Sequence, residues 1–518
     1  MDDCYGEKAS VTLPYADKEM CDRGVSMQRQ GGDYWLRWAT FVGCGAFLCQ
    51  LIAYNFVDID IWHQMALIRE SLAAGHLLKA DPYAYTPTVR PWIDHEWGAG
   101  AIAYLATIWL GSRGIVVLKF LAAIGTGIMC VRCSEARGGD FRLLGACALL
   151  PIFLAYLGFL PVIRAQAYSF LLTAFWLLLL DGIGARTWDR TWMIAGLAIF
   201  PLWVNLHAGF VVGLCLTGVH TLEQLLRQKP VRHLLLLLIA MSLEIFLNPY
   251  SIGYFSYLKR ALLMARAYAP EWGAVWSLGN AWTAGFTAAV LVAVYSVWSI
   301  GWRGVPGVLI LAATAVEAAI HRKLLPLFAV AWLCYVPRYL QEAALGKWWI
   351  KFGHRRGRFL SAAWIVFACV CVIAAIRHKP WDPVVPQPLY PVGPVQYLAK
   401  QKFAGNLMVP FRQGAYVSWK LYPAAKVSLD SRYEVAYPDA IVKQIFDFYE
   451  GRPDWLSTLR EFPTDAVLIP ANAPISRLMQ EADWRRVYTD QQFQIYARPG
   501  SPLQVQDWES TSFQGVFP

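Results

Sequence analysis

A polytopic α-helical membrane domain with about 11 to 13 spans, followed by a C-terminal soluble α/β domain, is the fold class that the sequence predicts. Three observations carry this. Of 518 residues 57% are hydrophobic and only 16% charged, with 24 tryptophans, which is too apolar for an ordinary soluble enzyme. Apolar runs long enough to cross a bilayer recur along the first two thirds of the chain. After residue 376 those runs stop, and alternating apolar and polar segments replace them.

Residues 1–34 are polar and mixed in charge, and read as a cytoplasmic tail. They lack a basic n-region, a short apolar core and a small-residue cleavage site, so no removable signal peptide is expected. The membrane domain is expected over 35–376. Its first span runs from Trp35 to Phe56, and others follow at 115–131, 143–163, 167–183, 191–205, 208–226, 233–247, 282–300, 305–320, 324–340 and 359–376. Gly98 to Leu110 is apolar but about 13 residues long, short for a crossing.

Basic residues set the orientation. The expected loop from Lys347 to Arg358, KWWIKFGHRRGR, carries five Lys or Arg and no acid, and RQKPVRH from Arg227 carries three, so both are assigned to the cytoplasm. Counting back from them makes 57–112 a large external loop if Gly98–Leu110 is re-entrant or interfacial. The polar residues interrupting the later spans, namely Arg164, Gln166, Asn205, His207, Asn248, Glu271 and His321-Arg322-Lys323, then share the external side with Asp58 and Asp60. One outward-facing polar chamber accounts for them all; the plainer alternative makes each an interfacial anchor or a helix cap.

Residues 377–518 open on the proline-rich RHKPWDPVVPQPLYPVGP, a stiff linker, and continue as the soluble domain, expected outside. That segment holds 15 Lys or Arg against 14 Asp or Glu, so the net charge of +10 sits almost wholly in the membrane half. The basic balance therefore follows from topology, and nucleic acid is not needed as a partner. None of the 11 cysteines falls in 57–112 or 377–518, and no disulfide framework is implied. The Cys130-Cys133 pair, with no second pair nearby, is weak evidence for zinc or redox chemistry.

Chemistry concentrates in two acidic clusters bracketing the external loop. In NFVDIDIWHQMALIRES, Asp58 or Asp60 can cap a helix beginning at IWHQ, while Asp60 and His63, three apart, share a helix face. In PWIDHEW, Asp94, His95 and Glu96 precede the short apolar helix. Between them, GHLLKADPYAYTPTVRPW is rich in Pro, Tyr and Trp, as a loop meeting a lipid head group or a sugar would be. Carboxylates at such a place can act as general base or hold a divalent cation, Mg or Mn, with Asp60 and Glu96 as candidate ligands. Arg164, Arg322 and Lys323 are placed to neutralise a phosphate leaving group. His63, His95, Gln166, His207, Asn248 and Glu271 are the candidate substrate-binding residues. In the distal domain, Asp430, Arg432 and Glu434 alternate as on a strand, facing either a glycan or solvent.

The order of motifs resembles the GT-C superfamily of polytopic glycosyltransferases, and most closely a bacterial GT-C-type group of poorly defined activity. The likeness runs through DPYAYT, PWIDHEW, IRAQAYSF, WVNLHAGF, LNPYSIGY and GNLMVPFRQGAYVSWKLYPAAKVSLDSRYEVAY, and so spans most of the chain. The resemblance implies an enzyme of the bacterial cytoplasmic membrane, with active site and C-terminal domain outside. It would take a sugar from a polyprenyl-phosphate donor to a lipid, glycan or protein acceptor in envelope polysaccharide assembly. It also implies Asp58 or Asp60 as base or metal-linked acid, Asp94 and Glu96 as second-loop acids, and Arg322 or Lys323 at the donor phosphate. Direct displacement would invert the anomeric centre. No Gly-rich phosphate loop is present, as expected where no soluble nucleotide is bound. The competing classes are a transporter, in which the polar cluster forms a vestibule, and an inactive lipid-binding scaffold. The inverted or parallel repeats of a transporter are not evident in the sequence.

Overall fold

The computed structural model describes residues 16–185, 190–264, 270–387, 389–507 and 515–518. Fourteen α-helices lie between residues 16 and 377 among the described residues: α1 (Ala16–Leu51), α2 (Ile59–Ala74), α3 (Trp97–Leu110), α4 (Arg113–Ala136), α5 (Phe141–Ala155), α6 (Ala165–Ala185), α7 (Arg190–Leu206), α8 (Phe210–Leu226), α9 (Arg232–Glu244), α10 (Tyr254–Leu263), α11 (Asn280–Ile300), α12 (Val308–Ile320), α13 (Leu325–Leu340) and α14 (Ala344–Arg377). Among the described residues five stretches are long and apolar enough to cross a membrane: Arg113–Ala136, Phe141–Phe159, Ala165–Ile183, Asn280–Ile300 and Ala344–Arg377. α3, α8 and α12, and α7 over Thr191–Leu206, are shorter apolar helices. Large apolar side chains such as Leu121, Trp298 and Val366 stand exposed on the outer faces of these helices, as a lipid-facing surface requires.

Two expectations about the spans need correcting. The first span does not reach Phe56: the helix ends at Leu51, and the following residues are extended because they pair with other chain segments. Val57 N–H donates to Val384 O at 2.8 Å, Val384 N–H to Asn55 O at 2.7 Å, and Val162 N–H to Phe56 O at 2.9 Å. Nor is 347–358 a loop. It is the first part of α14, kinked at Arg356 (φ −120°, ψ 22°), where Trp348 stacks on Phe352 and the Trp349 indole donates to Arg142 O at 3.0 Å.

Contacts sort the helix termini to two ends of the bundle. At one end the Lys119 ammonium, fully buried near the start of α4, donates to Tyr54 O, Asn55 Oδ1 and Leu160 O at 3.2, 2.9 and 3.3 Å. It thereby ties together the chain leaving α1 and the chain leaving α5; a cation without such acceptors would be too costly to bury. The Asn55 amide also donates to Pro380 O at 2.5 Å, so α14 finishes at this end too. At the opposite end Arg142 pairs with Asp33 at 2.6 Å and Asp140 N–H donates to Gln341 Oε1 at 3.1 Å. Both ends of α3 belong to the first end: the Trp97 indole donates to Asn205 Oδ1 at 2.9 Å, and Arg113, just past its last turn, lies 3.6 Å from Asp382. α3 therefore turns back without crossing.

Beyond α14 lies a six-stranded sheet of order β2-β1-β3-β5-β4-β6, with β1 (Gly405–Met408), β2 (Ala425–Val427), β3 (Ala466–Pro470), β4 (Arg485–Thr489), β5 (Phe493–Ala497) and β6 (Gln506–Asp507). β1 runs parallel to β2 and β3, β5 is antiparallel to both β3 and β4, and β6 is parallel to β4. The loop after α2 continues this sheet past β2. Tyr85 N–H donates to Val427 O at 3.1 Å and Val427 N–H to Tyr83 O at 2.9 Å. One apolar core runs from Trp62 and Trp92 through Tyr390 and Tyr416 into Val409 and Ile469.

The Tyr- and Trp-rich loop is therefore not lined for lipid or sugar through Tyr83 and Trp92, which are 1% and 2% exposed. Both lie beneath the Arg432 guanidinium, 5.3 and 5.7 Å from it. Arg432 in turn pairs with Asp81 at 2.5 Å and Asp430 at 2.6 Å, all three side chains at most 2% exposed. Asp430 and Arg432 do not alternate on a strand: they follow β2 in a turn before the short helix Tyr433–Ala436, drawn inward because each ion has its partner there.

Removing the cation alone would strand two buried carboxylates. Arg432→Met is expected to destabilise the junction by about 3–5 kcal/mol, read as a lowered thermal midpoint and early proteolysis between α2 and α3. Adding Asp81→Leu and Asp430→Leu should recover part of that loss.

Candidate functional site

α2 begins where Asp58 caps it, its carboxylate accepting from Asp60 N–H at 3.1 Å. From there one face of α2 presents three polar side chains at helical spacing, Asp60, His63 and Gln64, each meeting a different segment.

Asp60 belongs to a cluster centred on Arg164, the residue before α6. Arg164 Nε lies 3.0 Å from Asp58 Oδ2, Nη2 3.5 Å from Asp60 Oδ2 and Nη1 3.6 Å from Glu271 Oε2. Glu271, in the turn Pro270–Trp272, also accepts from Lys323 Nζ at 2.7 Å. Lys323 stands 5.1 Å over the Trp272 ring. Burial, with the charges of Asp58, Glu96 and Glu271 added, pushes the Asp60 carboxyl well above the carboxylate range against the pull of Arg164. Glu271 moves the other way, to about 2: burial opposes the shift, but Lys323 and then Arg164 outweigh it.

Gln64 reaches the second cluster. Its amide donates to Glu96 Oε2 at 2.6 Å, while Glu96 Oε1 lies 3.5 Å from both His95 Nε2 and His207 Nε2. His207 is fixed from behind: Gly209 N–H donates to Nδ1 at 3.0 Å, and Ser169 Oγ, itself taking the Trp203 indole N–H at 2.8 Å, stands 2.8 Å from the same atom. The ring proton therefore sits on Nε2, facing Glu96. Burial would raise the Glu96 carboxyl, yet the three imidazoles around it, His95 foremost, hold it below the usual range. His95 stacks on Tyr257 at 4.7 Å.

The third member of the α2 face turns to the C-terminal unit. His63 Nδ1 lies 3.0 Å from Ser431 Oγ, and burial brings this imidazole down to about 4. Asp94, buried near Arg432, accepts from Glu96 N–H at 3.2 Å; desolvation raises its carboxyl to about 6.

Asp58, Asp60, Arg164, Glu271 and Lys323 are thus brought together, and Glu96, His95 and His207 form an adjoining group. Others stand apart. Arg322 donates from Nη1 to Ser277 Oγ at 3.2 Å, and Asn248 spans its own turn, donating to Ile245 O at 2.6 Å and accepting from Tyr250 N–H at 2.8 Å. Gln166, half-buried in the first turn of α6, joins neither group. Sequence reasoning missed Gln64, Ser169, Trp203 and Ser431. Gln64 was open to discovery, four residues beyond Asp60 on one helix face. Ser431, 368 residues from His63, leaves no local signal.

The residues fit a divalent cation poorly. Among the described residues no group of three or more His, Cys, Asp or Glu side chains is arranged to hold one. Asp60 and Glu96, the expected pair, belong to separate clusters, and the guanidinium of Arg164 occupies the point on which Asp58, Asp60 and Glu271 converge. What the arrangement offers is proton transfer beside fixed cations: one carboxyl with raised proton affinity, another held ionised, and two basic side chains within a few ångströms.

Two glycines let the groups meet. A Cβ on Gly98 would lie 2.6 Å from Asn205 O and one on Gly100 2.8 Å from Gln64 O, so α3 approaches α7 and α2 backbone to backbone. Gly100→Val is expected to cost about 1–3 kcal/mol and to loosen the Gln64–Glu96 contact, which the thermal midpoint and the accessibility of a cysteine placed at position 64 would report.

Comparison with solved structures gives three matches. The chain is similar to the arabinofuranosyltransferase AftD from mycobacteria, with TM-score 0.53 and 13% identity over 90% of this chain and 40% of that one. It is similar to the oligosaccharyltransferase AglB from Archaeoglobus fulgidus, solved in complex with an inhibitory peptide and a dolichol-phosphate, with TM-score 0.57 and 10% identity over 84% of this chain and 69% of that one. It is also similar to the Archaeoglobus fulgidus oligosaccharyltransferase in complex with Zn and sulfate, with TM-score 0.52 and 10% identity over 83% and 68%. No protein-family model and no curated protein matches the chain. At these identities the likeness is one of fold alone.

Proposed function

We propose that this protein is an integral-membrane glycosyltransferase that moves a sugar from a polyprenyl-phosphate donor to a glycan, lipid or protein acceptor at the outer face of a bacterial cytoplasmic membrane. The observation that carries the reading is Asp60: a carboxyl of raised proton affinity beside Arg164, whose partner Glu271 also holds Lys323, at one end of a helical bundle similar in fold to the oligosaccharyltransferase AglB. The basic residues of Lys347–Arg358 and Arg227–Arg232 support an outward orientation of this end by the positive-inside rule.

Asp60 serves as the base and Asp58 does not, because Asp58 already caps α2 and lies against Arg164 at 3.0 Å. The acceptor hydroxyl gives its proton to Asp60 as its oxygen attacks the anomeric carbon. The bond from that carbon to the phosphate oxygen breaks, and the lipid phosphate leaves with its charge met by Lys323. Attack from the face opposite the leaving group inverts the anomeric centre. Glu96, held ionised, positions hydroxyls through the imidazoles of His95 and His207.

The test uses purified full-length protein in nanodiscs with labelled polyprenyl-phosphate sugars and a panel of acceptors. Asp60→Asn is expected to lower donor consumption by about 10²–10⁴-fold. Asp58→Asn should cost less, since asparagine caps a helix as well as aspartate does. The wild-type rate should climb as pH rises through the elevated pKa of Asp60, because only the ionised carboxylate accepts a proton, and Asp60→Asn should flatten that limb. Intact donor with every acceptor, together with labelled lipid or sugar crossing the membrane, would make the protein a transporter.

A further inference from the structure

A guanidinium is planar and directs its N–H groups outward along three edges. The Arg164 nitrogens lie within ion-pair distance of three carboxylates, Asp58 from the cap of α2, Asp60 from its first turn and Glu271 from the turn before α11, at 3.0, 3.5 and 3.6 Å, with Nη2 donating to Asp60. Three carboxylates from two distant chain segments, converging on one point, form the oxygen donor set that ordinarily holds a divalent cation. Here the point is taken by a side chain. A metal ion entering would meet a positive charge that is itself tied down on three sides, and Lys323 already claims the outer oxygen of Glu271 at 2.7 Å.

We infer that Arg164 is the resident cation of this carboxylate set, standing where a divalent metal would otherwise bind, and that the site works without one. Several properties follow from a covalently attached cation. It cannot be chelated away. It keeps its directions fixed by its own planarity, so Asp60 is held in one orientation whatever the metal supply of the compartment. With Lys323 it supplies two positive charges against three carboxylates, and the one negative charge left over becomes neutral when Asp60 takes up a proton.

The experiment is an Mn²⁺ titration of the full chain in nanodiscs, followed by the electron paramagnetic resonance signal of free Mn²⁺. Wild type is expected to show no saturable binding up to about 1 mM, and Arg164→Lys none either. Arg164→Gln and Arg164→Met empty the centre and should each gain one equivalent of bound Mn²⁺, lost again when Asp60→Asn is added. Stoichiometric binding by wild type that disappears in Glu271→Gln would overturn the inference. So would the absence of any gain in an Arg164→Gln or Arg164→Met protein that keeps the wild-type thermal midpoint within a few degrees. Should neither variant fold, wild type and Arg164→Lys decide between the two outcomes. Because metal binding is read directly, the result stands whether or not the transferase reading does.

Discussion

A positive charge withdrawn from water must find its counter-charge within the protein, and the end of this bundle is organised around that constraint. Arg432, Lys119 and Arg164 are each contacted by groups from widely separated parts of the chain. Arg432 takes Asp81 from the loop after α2 and Asp430 from the turn after β2. Lys119 takes carbonyl and amide oxygens from the ends of α1 and α5. Arg164 takes Asp58, Asp60 and Glu271. These are contacts among apolar surfaces that could otherwise slide, and those of Arg432 fix how the loop after α2 lies against the C-terminal sheet. The price is intolerance: losing any one cation leaves several buried acceptors without a donor.

The same economy separates the carboxyls chemically. Asp60 and Glu96 lie on neighbouring elements and are both half-buried, yet their environments differ in sign. Asp60 faces three other carboxylates besides Arg164, so taking up a proton relieves repulsion. Glu96 is ringed by N–H donors, the amide of Gln64 and the imidazoles of His95 and His207, so protonation would waste them. Residue type alone gives no hint of this division. It depends on whether the neighbours donate or repel, and those neighbours come from α6, α7 and the turn at Glu271.

Length and hydropathy made the helices legible in the sequence, because bilayer thickness imposes a period and a composition that tertiary contacts hardly alter. What they could not show was where an apolar run stops being helical. Tyr54 to Val57 is apolar enough to extend α1, but its backbone pairs with Val384 and Val162, partners invisible to a local window. The basic stretch at 347–358 shows the converse: Trp348, Trp349 and Phe352 pack as one helical face, and charge alone suggested a loop. At the site, the residues near Asp58 and near Glu96 could be singled out as acidic clusters, and Arg164 as a charge between spans. That Asp58, Asp60 and Glu271 share one guanidinium could not be read, because it depends on three chain segments meeting. Tyr83 and Trp92 suggested a binding surface by composition, whereas burial beneath Arg432 gives them a packing role.

The position of the Arg164 cluster along the bundle bears on what can reach it. Asp58, Arg164, Glu271 and Lys323 all stand in the connections between helices rather than within them, at the end where α1, α5 and α14 finish. A charged group there lies near the level at which head groups meet hydrocarbon, not at the bilayer centre, where ions are far more costly. On one side the loop after α2 and the turn at Asp430 cover this level, joined through Arg432 and through the pairing of Tyr83 and Tyr85 with Val427. A substrate whose reactive phosphate is carried on a hydrocarbon chain presents that phosphate at the same level while its chain remains among the lipids. Such a substrate needs no soluble nucleotide-binding domain to deliver it, and under the proposed function the polar residues of this end would serve proton transfer and charge compensation alone.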